Sequence, residues 1–172
     1  MKIIVCGLNG AGKSTFGRAL ADYLGFVFRD IEDYYFTEQN GDYKYQNVNS
    51  AQVVCRLLLA DLQKYNDLVL ASVTGNYGEA VQAQFTHAVY LRIPEKVRAE
   101  RVRDRSFQKF GARMLEGGDL YEKEKAFFDM VMARGDDHVL SWLGRMELPI
   151  LELDGTRPIG ENLEKAAAFL GK

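Results

Sequence analysis

The sequence predicts an α/β protein built in three layers, with a parallel sheet of five strands between helices. Three observations carry this. Strand-length apolar runs alternate with helix-period segments along the 172 residues, the order expected of strand–helix–strand units rather than of a bundle. The connections between them are short, which implies right-handed crossovers and parallel neighbours. The first strand-to-helix junction also carries Gly7-Leu8-Asn9-Gly10-Ala11-Gly12-Lys13-Ser14, spaced G-x-x-x-x-G-K-S, a phosphate-binding loop in the setting that loop requires.

Each element has its own signal. Ile3-Ile4-Val5 marks a buried strand over 2–6, and Phe16, Ala19, Leu20, Tyr23 and Leu24 mark a helix over 13–24 that Gly25 stops. A short strand over 26–29 runs into the acids Asp30-Ile31-Glu32-Asp33, and Asn40-Gly41-Asp42 marks a turn in the polar, aromatic stretch 34–49. Asn49 or Ser50 caps the next helix, whose buried face is Val54, Leu57, Leu58, Leu62 and Tyr65. Asp67 to Val73 reads as a buried strand ending in the polar Thr74-Gly75-Asn76. A short helix over 79–85 and a strand over 88–93 follow, and Pro94 opens an arginine-rich helix at a position where its missing N–H does no harm. Gly111, Gly117 and Gly118 interrupt the chain before a helix over 120–134, with Phe127, Phe128 and Val131 inward. A short helix at 139–144, a strand at 150–153, the turn Asp154-Gly155 and a helix at 160–170 close the sequence.

The loop's residue types follow from what an anion needs. Gly7, Gly10 and Gly12 open backbone dihedrals denied to other residues and let main-chain N–H groups approach closely. The helix that follows directs its N-terminal N–H groups and partial positive charge at the same point. Lys13 adds a full charge for the β- and γ-phosphates, and Ser14 offers a hydroxyl to a Mg²⁺ ion bridging them. The ligand suited to this arrangement is a nucleoside triphosphate.

Composition narrows the classes. A net charge of −2 gives no global reason to expect nucleic acid or an anionic membrane as partner. No apolar run approaches the length of a membrane span and no leader pattern precedes the first strand, so a cytoplasmic protein is expected. Cys6 and Cys55 lack the paired spacing of a zinc or redox motif and read as buried free thiols. With only His87 and His138, neither a metal cluster nor a serine–histidine triad is suggested.

A phosphate loop alone does not separate kinases from GTPases, motors or transporters. The N-K-x-D of guanine-specific GTPases is missing, the strand Leu68 to Val73 carries no adjacent acids of the motor type, and no transporter signature occurs. The chain resembles instead the small-molecule branch of the phosphate-loop kinases, which holds shikimate, gluconate and adenylate kinases, and is similar to adenylate-kinase-like ATP-binding proteins. The resemblance rests on Gly7 to Thr15, the acids after strand two, the Arg-rich stretch after strand four, and Asp154-Gly155-Thr156-Arg157-Pro158 after strand five. It implies a three-layer P-loop NTPase fold with an Arg-rich helical lid.

It also implies roles. Gly7, Asn9, Gly10, Ala11, Gly12, Lys13, Ser14 and Thr15 would hold ATP, with Thr156, Arg157 and Pro158 bordering the base. Asp30, Glu32 and Asp33 would serve the acceptor, joined by Thr74, Gly75 and Asn76. Ser14, Asp30 and Glu32 would face Mg²⁺. Arg101, Arg105 and Arg113 would belong to a lid over about 95–120, and the acceptor segment would span about 30–66. The chain departs from adenylate kinases in having Thr74-Gly75-Asn76-Tyr77 after its third strand, and from shikimate kinases in lacking a Gly-Gly-Gly there.

Residues Arg92 to Arg113 hold eight bases against three acids, an excess that must face acids elsewhere or a polyanion. Single arginines there could equally sit in solvated ion pairs. Asp30 could orient an acceptor hydroxyl and take its proton, or hold the metal through water. Tyr34, Tyr35, Phe36, Tyr43 and Tyr45 would wall the acceptor pocket, which favours a nucleoside or nucleotide over a shikimate-like acid. The expected activity is transfer of the γ-phosphate of ATP to a small-molecule acceptor. The rival is a nucleotide-binding regulatory ATPase or interaction module with no small acceptor.

Overall fold

The computed structural model describes residues 1–36 and 48–172, so Tyr43, Tyr45 and the Asn40-Gly41-Asp42 turn lie outside the described residues. Five strands form one sheet in the order β2-β3-β1-β4-β5, every neighbouring pair parallel. These are β1 (Lys2–Cys6), β2 (Val27–Asp30), β3 (Leu68–Ala71), β4 (His87–Arg92) and β5 (Ile150–Asp154). The helices are α1 (Lys13–Leu24), α2 (Ile31–Tyr35), α3 (Ala51–Lys64), α4 (Glu79–Gln82), α5 (Glu95–Phe110), α6 (Tyr121–Met132), α7 (Asp137–Leu143) and α8 (Ile159–Phe169). A 3₁₀ turn, Gly111–Met114, joins α5 to the segment before α6.

The central strands are apolar between their ends because both faces of a parallel sheet are covered, and the two-residue period of a strand divides each run between two cores. Ile4 and Cys6 of β1 pack with Leu68, Leu70, Ala88 and Tyr90 against Val54, Leu58 and Leu62 of α3 and Trp142 of α7. Ile3 and Val5 pack with Val69, Val89 and Leu91 against Phe16 and Leu20 of α1 and Ala166 of α8.

Two caps match the sequence reading. Gly25 adopts the left-handed conformation (φ 70°) that ends α1, a position where a Cβ is costly. Ser50, rather than Asn49, caps α3, its Oγ accepting from the Val53 N–H. Strand order reverses at β1, between β3 and β4, so the crevice at the carboxyl ends opens over the loop that follows β1.

One local expectation, the burial of Cys55, differs from the structure, and two other positions gain a definite role. The acids after β2 form the start of helix α2, with Asp30 as its cap. Cys55 is only half-buried, its thiol donating to the Tyr77 carbonyl, because it sits on the flank of α3 instead of its inner face. Gly118 is required by close packing: a Cβ there would come within 2.2 Å of the Arg113 carbonyl oxygen.

Candidate functional site

The loop between β1 and α1 wraps the N-terminus of α1. Gly7 has φ 144°, and a Cβ there would fall 2.5 Å from the Leu91 carbonyl oxygen of β4, so only glycine permits this exit from the strand. Gly12 caps α1 in the left-handed conformation with no side-chain partner, leaving the first-turn N–H groups facing the crevice. Lys13 folds back so that its Nζ donates to the Leu8 carbonyl at 3.0 Å. Enclosure of that ammonium pushes it down from 10.5 to about 8, with Asp30 drawing it up again and Arg105 opposing.

A cavity of about 780 Å³ joins this loop to the end of β2. Asn9, Lys13, Ser14, Asp30 and Glu32 line it, with Thr74 and Asn76 beyond β3. Asp30 does two things at once: its Oδ1 accepts from the Glu32 N–H at 3.0 Å, capping α2, while the residue lines the cavity facing Lys13. Asp33 lies on the outer side of α2, is exposed, and is not among the cavity's lining residues. Gly75 is buried behind the wall because a Cβ would meet the Trp142 ring at 2.7 Å.

The three arginines expected of a lid part company. Arg101 reaches the loop, its Nη1 donating to the Gly155 carbonyl at 3.1 Å and, more weakly, to Gly10 at 3.5 Å. Arg105 lines the Asp30 cavity. Arg113 instead makes a two-pronged pair with Asp119, six residues on, 2.6 Å at the shortest. Arg98, unremarked in the sequence, is buried and donates to the Val131 and Arg134 carbonyls, tying α5 to the end of α6.

After β5, Asp154 Oδ1 accepts from the N–H and hydroxyl of Thr156, closing a tight turn. Arg157 lines a second cavity beside Ala11 and Gly12, whereas Thr156 faces a third, and Pro158 caps α8. Thus Arg157 stands closest to the role expected of the 156–158 segment.

Sequence reasoning missed Tyr77, Met130, Arg134 and His138, all of which line the Asp30 cavity. Tyr77 is locked in place: its hydroxyl pairs with buried Ser72 at 2.9 Å, its N–H donates to Gly75 and its carbonyl accepts from Cys55. Burial holds its phenol above the ordinary value, hence neutral. Its ring stands 6.4 Å from Tyr35. Arg134 and His138 gave no local signal, since only the packing of α6 and α7 over the sheet brings them to the cavity.

For a hard divalent cation the donor set is suitable: Ser14 supplies a hydroxyl and Asp30 and Glu32 carboxylates, all oxygen. Among the described residues no group of three or more His, Cys, Asp or Glu could hold a metal unaided, so phosphate oxygens and water would complete its shell.

A family model described as an AAA domain matches residues 3–116, well over half of the sequence. The chain belongs to that AAA-domain family. This AAA-domain protein is 27% identical over 179 aligned positions to the uncharacterized protein YqaC of Bacillus subtilis, covering 98% of this chain and 96% of that one. Its fold is that of the P-loop small-molecule kinases. It superposes on a gluconokinase from Sinorhizobium meliloti with a TM-score of 0.62 at 18% identity, covering 99% of this chain and 91% of that one. A shikimate kinase from Bacteroides thetaiotaomicron gives 0.64 at 15% identity, with coverages of 100% and 99%. A putative kinase from Chloroflexus aurantiacus gives 0.64 at 18%, with 99% and 95%. Among the described residues of this AAA-domain protein, no helix is long and apolar enough to cross a membrane.

Proposed function

We propose that the protein is an ATP-dependent phosphotransferase that moves the γ-phosphate of ATP to a hydroxyl or phosphate of a small acceptor. One observation carries the reading. The cavity that holds Lys13 and Ser14 also holds Asp30, Glu32 and Arg105, and extends into a chamber walled by Tyr35, Phe36, Tyr77 and Phe127, with room for a second substrate. A regulatory module needs the loop but not that chamber.

The loop amides, the α1 N-terminus and Lys13 bind the triphosphate and offset charge as it develops on the transferred group. Bound through Ser14, Asp30 and Glu32, Mg²⁺ would neutralise the phosphate oxygens. Where the acceptor is a hydroxyl, Asp30 orients it and takes its proton as the oxygen bonds to the γ-phosphorus; an ionised phosphate oxygen attacks without a proton transfer, and in both cases the bond to the β-phosphate oxygen breaks and ADP leaves. Arg105 comes from α5 to the same cavity and stabilises the equatorial oxygens, while Arg101 secures the loop against the β5–α8 turn.

The acceptor is read from the far wall. Arg134, between α6 and α7, and His138 of α7 line the same cavity as the acids, and its apolar wall combines the rings of Tyr35, Phe36, Tyr77 and Phe127 with aliphatic side chains. This suits a planar acceptor that carries an anion, and a nucleoside monophosphate or related nucleotide has both parts. ATP consumption with pooled nucleosides, nucleoside monophosphates, sugars and hydroxy acids tests the reading. Stimulation by the monophosphate pool is expected, with Arg134→Ala raising the acceptor KM by tenfold or more at little change in kcat. A flat response to every pool would favour the regulatory module.

A further inference from the structure

The second cavity, about 270 Å³, flanks the phosphate loop and shares no lining residue with the Asp30 cavity. It is bounded by Ala11, Gly12, Thr15, Arg101, Arg157 and Asn162. Asn162 lies in the first turn and a half of α8 and is 3% exposed. Its Nδ2 donates to the Asp154 carbonyl at 2.9 Å, which fixes the orientation of the amide, because a carbonyl oxygen can only accept. Its Oδ1 is then left buried with no hydrogen-bond partner among the described residues. A buried acceptor without a donor costs free energy that a ligand N–H would restore.

A nucleotide whose phosphates lie on the loop has this cavity as the best place for its base. The 540 Å³ cavity at the ends of β4 and β5 presents four acids, Glu95, Asp136, Glu152 and Asp154, against Arg92, which is paired with two of them, and the buried Arg98, and meets the loop only at Leu8. The 270 Å³ cavity touches the N-terminal turn of α1 and has only the guanidinium groups of Arg101 and Arg157 as charges, planes on which a base can stack. Oδ1 lies behind the cavity surface, and the Arg157 side chain, 61% exposed, is the part of that surface able to turn aside.

We propose that Asn162 is a specificity-determining residue, its Oδ1 accepting from the exocyclic amine of an adenine-type base and rejecting 6-oxo bases, which would set acceptor against acceptor. The inference rests on the nucleotide-binding half of the proposed function and is independent of the phosphate acceptor. Calorimetric titration of the full chain with ATP, purine riboside triphosphate and ITP tests it. ATP should bind about tenfold more tightly than the purine analogue, which lacks the amine, and ITP should bind more weakly still.

Asn162→Leu should bring all three within about twofold, by weakening ATP and, with the facing acceptor gone, by strengthening ITP. A uniform weakening of all three, or an ATP preference that survives in the leucine variant, overturns the proposal and leaves Asn162 as a tie between α8 and β5. Should the leucine variant not fold, the wild-type series decides, an ATP-to-purine ratio under about twofold being fatal. Wild-type protein that binds none of the three overturns the function proposed above and this inference with it. Equal tight binding of all three overturns only the base reading.

Discussion

Raising the pH should strip the site of its phosphate charge at Lys13 well before an ordinary lysine would lose its proton. In the unliganded protein the Lys13 ammonium titrates near 8, burial being the main cause. Phosphate binding needs the charged form, so binding above pH 8 must take up a proton from solvent. Uptake should be about a quarter of a proton at pH 7.5 and about nine-tenths at pH 9, and affinity should fall about 20- to 30-fold between pH 7.5 and 9.5. Starting at 7.5 avoids the second ionisation of phosphate itself, near 6.

Isothermal calorimetry in pairs of buffers of different ionisation enthalpy measures both quantities. Stability gives an independent readout, with the sign set as follows by linkage. The folded-state pKa, about 8, lies below the ordinary 10.5, so between these values the unfolded chain binds more protons and the stability of the unliganded protein rises with pH. The rise is at most about 1.4 kcal/mol per unit. Lys13→Met should accordingly raise the melting temperature at pH 7, by about 2–4 °C per kcal/mol relieved, while abolishing ATP binding. An affinity that stays flat to pH 9.5 with no proton uptake, together with a variant no more stable than wild type, would refute the reasoning.

Other substitutions separate the roles of neighbouring residues. Asp30→Asn keeps an efficient helix cap but removes the proton acceptor, so turnover with a hydroxyl acceptor should drop at least about 100-fold while the thermal transition barely moves. Arg101→Ala removes the donor to Gly10 and Gly155 and should weaken ATP about tenfold by calorimetry, whereas Arg113→Ala, which breaks the pair with Asp119, should leave ATP affinity within about twofold. Gly75→Ala forces a methyl against the buried Trp142 ring and should destabilise by about 1–3 kcal/mol in urea titration. Asp61→Asn weakens the 2.6 Å pair with Arg29 and the bond from the Tyr34 hydroxyl, and should cost about 1 kcal/mol after allowance for solvent screening. Because Arg29 and Tyr34 hold the Asp61 carboxyl below its ordinary value despite desolvation, that contribution is present at neutral pH and is lost as pH falls through the lowered pKa.

Much of this protein was written in local pattern. The order of strands and helices, the stop at Gly25, the cap at Ser50 and the phosphate loop all depend on residues within a few positions of one another, where period, capping chemistry and glycine geometry act directly. Asp30 was legible because it ends a strand at the carboxyl edge of the sheet, where parallel α/β folds place their ligands. The arginine-rich α5 was legible only as a group: its charge excess is a property of composition, but whether a given arginine meets the loop, the Asp30 cavity or Asp119 depends on how α5 lies across β4 and the loop. Tyr77, Arg134, His138 and Asn162 became visible only in three dimensions. Each is unremarkable among its sequence neighbours, and each gains its meaning from the cavity that it lines: Tyr77, Arg134 and His138 share one with Asp30, and Asn162 shares another with the phosphate loop, although Tyr77 and Asn162 are themselves fixed by the nearby Ser72 hydroxyl and Asp154 carbonyl. Sequence alone set the elements and the phosphate cradle, because those forces are local; tertiary structure decided which side chains share a cavity, because that is fixed by where the helices come to rest on the sheet.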